Sequence, residues 1–333
     1  MNILILLLLF LLSISPSYAH HGAEGISGVG ISGPIVTVPA YTLPKKAKYI
    51  SIFSDYTNFN EFSDLDLLKL DKRGEHIHTM AHFFVPSILS GYGLTNDLTI
   101  GFKVPYAFRY ELKNVHDEVI SKRGNSIGVG DITFFGQYRF YKNEKTNLHA
   151  ALISGLKIPS GVTRTKGRDN VIFEADEQPG TGSWDPFIGL AISKIFHKFS
   201  LDANGLYKFA TNGSQGSNLG DVVSYNLALS HRIFDKGIFS FSKKHYKSKL
   251  AHDIVLDIIF EANGTYAQKP NTFHGFIDEN HGGTLIYLSP GFRATYKNTW
   301  IWSTSVGLPT IDDLNGRQRA PSIRLITSLT RAF

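Results

Sequence analysis

The 333-residue chain contains no cysteine, 2 methionines and 3 tryptophans. Without cysteine it cannot carry a disulfide framework, a lipoprotein anchor or a thiolate metal site. After residue 19, no apolar run approaches the roughly 20 residues that a transmembrane helix requires. Lysine and arginine are scattered and the net charge is only +6, so nucleic acid is not an expected partner.

The first 19 residues have the pattern of a cleaved signal peptide. Residues 3–12 form an unbroken apolar run, and Ser17 and Ala19 supply the small residues that precede a cut. The run is too short to anchor the chain in a bilayer. We therefore expect export and a mature chain that begins at His20. An uncleaved inner-membrane helix is the alternative, because no Lys or Arg precedes the run.

What the sequence does contain is an alternation of apolar and polar residues, with 31 Gly, 24 Phe and 15 Tyr as turn and strand formers. In residues 130–142, Phe134 and Phe140 share one face and Gln137 lies on the other, with Phe135 as an exception. Similar segments recur along the chain, with aromatic residues near their ends. Their length of about ten residues is typical of outer-membrane barrel strands and exceeds that of most sandwich strands.

Twelve such segments can be counted, and the connections between them alternate between short and long. Outer-membrane barrels have this pattern, with short periplasmic turns and long external loops. One connection, the Lys-rich 235–252, breaks the alternation; a solvated periplasmic hairpin is the favoured interpretation and a partner-docking site the alternative. The segments are 47–59, 79–94, 98–112, 130–142, 147–158, 184–196, 199–211, 222–234, 253–267, 284–297, 299–310 and 322–333.

The sequence therefore predicts an all-β protein, a transmembrane antiparallel β-barrel of about 12 strands over residues 47–333. Between the signal peptide and the barrel lies the segment 20–46, which is rich in Gly and Pro. Its apolar residues, such as Ile35 and Val38, favour burial as a plug in the lumen, and a flexible periplasmic tail is the alternative. Phe333 ends an amphipathic last strand and resembles the insertion signal that the barrel-assembly machinery reads.

Three stretches resemble a known family. They are His20-His21-Gly22 with the later Gly33-Pro34-Ile35, the run Gly128-Val129-Gly130-Asp131-Ile132, and the run Gln178-Pro179-Gly180-Thr181-Gly182-Ser183-Trp184-Asp185. Together they are similar to the outer-membrane transporter family labelled phenol-degradation meta-pathway, over nearly the whole mature chain. The resemblance implies a channel for small molecules and no particular substrate.

Charged residues on the inward parity form the candidate lumen-lining set, because charges that face lipid are costly. They could line a narrow polar conduit with a mild anion preference, or pair with one another and fill a small barrel. A barrel of about twelve strands is compatible with both alternatives, so the strand number does not choose between them. The set comprises Lys103, Arg109, Arg139, Lys157, Asp202, Lys208, Arg232, Asp257, Glu261, Arg293 and Arg324, with Asp131 on the same parity.

A metal site is a further hypothesis. His76, His78 and His82 share a parity with Met80, so an extended stretch would place them on one face near the external rim. Imidazole and thioether ligands suit a metal such as copper. Solvated rim histidines are the alternative. The acidic stretch 174–177 in the longest loop is interpreted as solvated, with a divalent-cation site as its alternative.

The sequence thus predicts an outer-membrane channel that passes small solutes and is gated by the N-terminal segment. The alternatives are a phospholipase-like barrel hydrolase and a structural or adhesive surface barrel. The chain has no Gly-x-Ser-x-Gly elbow, zinc-protease motif or phosphate loop, so we expect neither an enzyme nor a cofactor. The expected partners are outer-membrane lipid and lipopolysaccharide, the barrel-assembly machinery and an unidentified small solute.

Overall fold

The computed structural model describes residues 33–74, 78–235, 254–271 and 277–333. The predicted signal peptide and nearly all of the basic connection 235–252 lie outside the described residues. Within them the chain forms one short helix, α1 (Asp64–Asp71), a single 3-10 turn and fourteen strands. The strands are β1 (Lys48–Phe59), β2 (His78–Thr79), β3 (His82–Gly93), β4 (Leu98–His116), β5 (Val119–Val129), β6 (Thr133–Asn143), β7 (Leu148–Lys157), β8 (Asp185–Phe196), β9 (Phe199–Lys208), β10 (Val222–Asp235), β11 (Ile254–Ala267), β12 (Gly283–Tyr296), β13 (Trp300–Leu314) and β14 (Pro321–Ala332).

Twelve of these strands form one closed antiparallel barrel. β1 pairs with β3 and with β14, and β4 pairs with β3 and with β6. From β6 onward, each strand pairs with its neighbours in the chain. β2 and β5 lie outside the ring and pair with the second half of β4. The predicted all-β barrel of 12 strands is therefore confirmed.

The predicted loop 113–129 is a hairpin instead. β4 runs on to His116, and β5 returns from Val119. The turn residues Asp117 and Glu118 have φ angles of 51° and 59°, which suit a tight hairpin turn. Much of this hairpin is exposed and polar on both faces, so it lacks the alternation by which the barrel strands could be recognised.

The outer wall of the barrel is an apolar belt. Leu190 and Phe260 expose 58% and 59% of their surface, whereas the neighbouring inward residues Ile259 and Glu261 expose 0% and 3%. Apolar side chains therefore point out and most charged ones point in, the reverse of a water-soluble protein. This arrangement fits a barrel whose wall is surrounded by lipid.

We expect Leu190→Arg to impair membrane assembly. Leu190 lies midway along β8 and points outward, so the guanidinium would enter the hydrocarbon region at a cost of about 2–4 kcal/mol. The measurement is the yield of folded, heat-modifiable protein in lipid vesicles. Lys122→Arg, on the exposed hairpin, serves as control. Equal yields of Leu190→Arg and the native protein would contradict the lipid-facing assignment.

The two ends of the barrel differ. Four short turns lie at one end, together with the start of β1 and the end of β14, where Lys48 and Phe333 exchange backbone hydrogen bonds. We call this the short-turn end. The opposite, long-loop end carries α1 and the loops 158–184 and 268–282.

The helix α1 belongs to the first long loop. It begins where the Ser63 side chain accepts a hydrogen bond from the N–H of Asp66. Leu67 and Leu70 are buried against Val115 on the extended part of β4. No helix among the described residues is long and apolar enough to cross a membrane.

Candidate functional site

The described part of the N-terminal segment, residues 33–46, enters the barrel lumen. Residues 33–40 are buried without exception. The Glu261 carboxylate on β11 accepts hydrogen bonds from the backbone N–H groups of Ile35, Val36 and Thr37, at 3.0–3.1 Å. These donors would otherwise be buried without partners, so Glu261 is the strongest polar anchor of the segment.

Side chains of five further strands bind the segment as it crosses the lumen. The contacts begin on β4, continue over β6, β8 and β9, and end on β12. They tie the segment to most of the barrel circumference. The hydrogen bonds run from Leu43 N–H to Thr99 Oγ1 (2.8 Å), Gln137 Nε2 to Pro39 O (2.6 Å), Ala40 N–H to Ser193 Oγ (2.7 Å), Val38 N–H to Asn204 Oδ1 (2.8 Å), and Arg293 to Pro34 O.

Apolar side chains of the segment pack on inward apolar residues of the wall. Val38 forms a buried cluster with Phe135 and Phe187. The exceptional parity of Phe135 in the sequence is thereby explained, because its ring faces the segment instead of lipid. On the far side, Ile35 approaches Gly291 so closely that a Cβ there would lie 2.7 Å from Ile35 Cδ1. The segment therefore shares a hydrophobic core with the barrel.

Most of the predicted lumen residues are paired with each other or with the segment. This favours the paired-charge interpretation in the half of the lumen that the segment fills. Lys103, Arg109 and Lys208 line a cavity, described below. The pairs are Arg139 with Asp97 (2.6 Å), Lys157 with Asp185 (2.6 Å) and Asp131 (3.5 Å), Arg232 with Asp257 (2.8 Å), Arg324 with Asp55 (2.9 Å), and Asp202 with the hydroxyls of Ser193 (2.5 Å) and Ser200 (2.7 Å).

The long loop 158–184 folds over the long-loop end of the barrel. The Asp131 carboxylate fixes both ends of this loop, accepting from the N–H of Gly161 (2.9 Å) and the N–H of Thr181 (2.7 Å). The two ends of the loop are in contact there, since a Cβ on Gly180 would lie 2.6 Å from Gly161 Cα. Two of the stretches that carry the family resemblance thus meet at this anchor.

A cavity is bounded by this loop and by the barrel wall. Its volume is about 90 Å³, and Ala175 and Asp176 of the loop line it together with Lys103 and Lys208. Lys103 lies 5.8 Å from the Phe53 ring and has no carboxylate partner among the described residues. The cavity therefore contains a buried cation that a solute anion could approach.

A second charged cluster lies at the mouth, between the loops 158–184 and 268–282. His281 contacts Asp278 through Nδ1 (2.5 Å) and Asp176 through Nε2 (3.1 Å). Burial opposes protonation, but hydrogen bonds and charges from the two aspartates raise the pKa of His281 to about 10. The imidazolium donates from both nitrogens, so it cannot act as a general base for Ser217 in the same recess.

The predicted histidine face is not formed. His78 points into the mouth, with Nε2 3.3 Å from Glu174, whereas His82 bonds to the hydroxyl of Tyr56 (3.0 Å). Tyr56 follows the cavity-lining Asp55 and so points to the opposite face of β1. The strand is broken at residues 80–81, which resets the parity.

No group of three or more His, Asp or Glu in the described part of the chain is arranged to hold a metal ion. His76 lies outside it, so a metal site that includes His76 stays a prediction. The acidic stretch 174–177 is only partly solvated, because Glu177 is buried. Phe333 is exposed at the short-turn end, and its role as an insertion signal stays a prediction.

The family model described as "Putative MetA-pathway of phenol degradation" matches residues 71–313. The chain belongs to this family. The stretches 128–132 and 178–185 lie within the match, and the N-terminal segment lies before it. No curated protein matches the chain in sequence.

Comparison with solved structures gives one match that shares the barrel fold of this family member. An outer-membrane channel from Pseudomonas putida F1 matches with a TM-score of 0.56 and 17% identity, over 88% of this chain and 98% of that one. The NanC porin gives 0.44 and 7% (85% and 98% covered), and LpxR from Salmonella typhimurium gives 0.43 and 11% (85% and 99% covered). The first likeness shows the fold alone, and the other two are too weak to carry an argument.

The mouth cluster of this family member was not predicted from its sequence. His281 and Asp278 lie in a predicted loop without periodicity, and nothing in their spacing links them to Asp176, about a hundred residues earlier. Asp185 could have been recognised as a site residue from the sequence, since it follows the motif of residues 178–184 and begins β8. The partners of Glu261 were not predictable, because backbone N–H groups leave no mark in a sequence.

Proposed function

We propose that this family member is an outer-membrane channel through which small solutes pass, and that residues 33–46 close its lumen until they are displaced. The short-turn end then faces the periplasm and the long-loop end faces the exterior. The observation that carries the proposal is the seated segment. It belongs to no strand of the barrel, so it can leave the lumen while all twelve strand pairings remain.

The cavity supports a preference for small anions. A twelve-strand barrel is wider than the eight-strand barrels that side chains fill completely. On the external side of the seated segment, the cavity is lined by Asp55, Asp131, Asp176 and Asp185 as well as by cations, and Lys103 is a cation there with no carboxylate partner among the described residues. A charge in a water-poor passage attracts ions of opposite sign more strongly than one in bulk water. We therefore assign Lys103 the main part in ion selection.

The proposal is tested by conductance in planar bilayers. Discrete conductance steps are expected from the purified full chain, with a reversal potential in a salt gradient that indicates an anion preference. Lys103→Gln should keep the steps and move the reversal potential toward cation preference, because one lumen cation is lost. Lys122→Gln removes an exposed cation from the external hairpin and should leave the reversal potential unchanged.

Two outcomes would contradict the proposal. If the folded barrel never conducts, including after disruption of the Glu261 anchor, the channel function is wrong and a structural surface barrel becomes the better candidate. If the barrel conducts but Lys103→Gln and Lys122→Gln have the same reversal potential, the channel function is supported and the role of Lys103 in ion selection is wrong.

A further inference from the structure

Two buried atoms face each other at the external mouth without a hydrogen bond. His78 Nδ1 and Glu177 Oε1 lie 3.7 Å apart, which is too long for a hydrogen bond. Neither atom has a hydrogen-bond partner in the part of the chain that the structure describes. The Glu177 side chain is only 4% exposed, so water does not readily reach it.

The arrangement lacks one proton. His78 Nε2 lies 3.3 Å from Glu174 Oε1, and a carboxylate oxygen there favours the tautomer with its hydrogen on Nε2, so in the neutral ring Nδ1 carries a lone pair. That lone pair faces a carboxylate oxygen, and two acceptors cannot bond to each other. A proton on either Nδ1 or Glu177 turns the contact into a hydrogen bond, charge-assisted if the imidazole is the one that is protonated.

The surroundings favour a proton over a metal ion. Arg123 on β5 lies 3.5 Å from the other Glu177 oxygen, Oε2. Two further cations face the same recess, Arg109 from β4 and the protonated His281 from the loop 268–282. These positive charges oppose the entry of a divalent cation. The acidic groups facing the pair are Glu174 and Asp176 of its own loop, with Asp278 and Asp169 bound to His281 and Arg123.

The pair holds down a loop that covers the cavity. Both ends of the loop 158–184 are fixed by Asp131, through Gly161 and Thr181. Between them, Arg123 donates to Val171 O and Ile172 O, and the Phe173 ring is fully buried, so that part of the loop stays seated. Residues 174–178 carry Glu177 together with Asp176 and Gln178, which line the cavity. Loss of the contact to His78 removes one of the restraints on this short stretch, whose movement would open the cavity to the exterior.

We propose that the stretch 174–178 of the loop 158–184 is a pH-sensitive lid, closed while His78 and Glu177 share a proton and loosened when that proton is lost. The proposal rests on the proposed channel function for its role in transport. It adds to that function a control on the external side, separate from the N-terminal segment on the periplasmic side.

The direction follows from the protons bound in each state. Burial raises the pKa of Glu177 from 4.5 to about 7 in the closed lid, against the opposing charge of His78. The closed lid therefore binds this proton more tightly than an open one. Its advantage is complete below pH 4.5 and is lost as the pH rises toward about 7.

The second contact of the lid acts in the same direction at higher pH. The pKa of His281 is raised to about 10 by Asp176 and Asp278 together, and only Asp176 belongs to the lid, so the part of the advantage that closure contributes is lost progressively as the pH rises toward 10. Asp176 has the opposite effect on closure to Glu177 and His281, and only at acidic pH. Burial raises its pKa, but His281 outweighs burial and lowers it below 3.8, so this contribution to closure disappears below about pH 4. Rising pH between 5 and 8 should therefore open the lid.

The test measures access to the cavity. The chain has no cysteine, so Ala107→Cys introduces a single thiol into the cavity wall. A membrane-impermeant methanethiosulfonate reagent is added to the full-length protein in vesicles at pH 5 and at pH 8. The same measurement is made with Glu177→Gln added, because a glutamine amide donates to His78 Nδ1 without needing a proton. Thiol ionisation cancels when the two rates are divided at each pH.

We expect this rate ratio to rise about tenfold or more from pH 5 to pH 8, since one pKa unit of differential proton binding is a tenfold change. Glu279→Gln, an exposed carboxylate in the neighbouring loop, should behave like the native lid. An equal ratio at both pH values would overturn the lid. Labelling does not depend on conduction. A rising rate ratio without any conductance would therefore support the lid and contradict the channel function.

Discussion

Glu261→Ala is expected to unseat the N-terminal segment and to increase conductance strongly. The change removes the acceptor for the N–H groups of Ile35, Val36 and Thr37, which are buried in the lumen. Each hydrogen bond to a charged group contributes about 1.5–3 kcal/mol. Losing about 3 kcal/mol in total would already shift the seating equilibrium about 100-fold. Single-channel recording measures this as a larger fraction of time in the open state.

The matched control is Glu144→Ala, which removes an exposed carboxylate in a turn at the short-turn end and should leave the open fraction unchanged. Glu261→Gln should lie between the two. Its amide oxygen still accepts, but its NH₂ group is placed against backbone donors. A Glu261→Ala barrel that opens no more often than the native one would show that the segment is not the gate.

Lys157→Met is expected to destabilise the barrel by about 3–5 kcal/mol, the usual cost of removing one partner of a buried ion pair. Lys157 is 4% exposed and lies between the carboxylates of Asp185 and Asp131. Methionine has a similar shape without the charge, so two buried carboxylates would lose their cation. Because Asp131 also anchors both ends of the loop 158–184, the loop should loosen as well.

The measurement is the urea concentration at which heat-modifiable migration on a gel is lost. Lys142→Met serves as the control, because Lys142 pairs with Glu144 at an exposed position where ion pairs contribute little. Equal unfolding midpoints for the two variants would contradict a central role of Lys157.

The fold was predictable because the environment of a barrel strand imposes a period of two. All twelve barrel strands were placed within a few residues, since lipid on one face and a filled lumen on the other leave a readable alternation. The hairpin of β4 and β5 escaped because water surrounds most of it. The sequence did not show that His78 and His82 point to different faces, because a break at residues 80–81 reverses the parity and a short break carries no strong signal.

The candidate site was predictable only in part. The alternation in the sequence placed Lys157, Glu261 and Arg293 on the inward side of their strands. It could not show which residues they contact there. Whether these charges would line a conduit or pair could not be decided from a sequence in which the partners are scattered. Glu261, for example, binds the N–H of Ile35 across 226 positions in the chain.

By itself, the sequence determined that this protein is a β-barrel of alternating strands with short and long connections, because those patterns are local. Only the tertiary structure decided which charges meet, that residues 33–40 fill the lumen, and that His78 faces Glu177. Those contacts depend on how a closed ring brings distant strands and loops to one point. Burial and hydrogen bonding then select the partners, and neither is encoded by spacing along the chain.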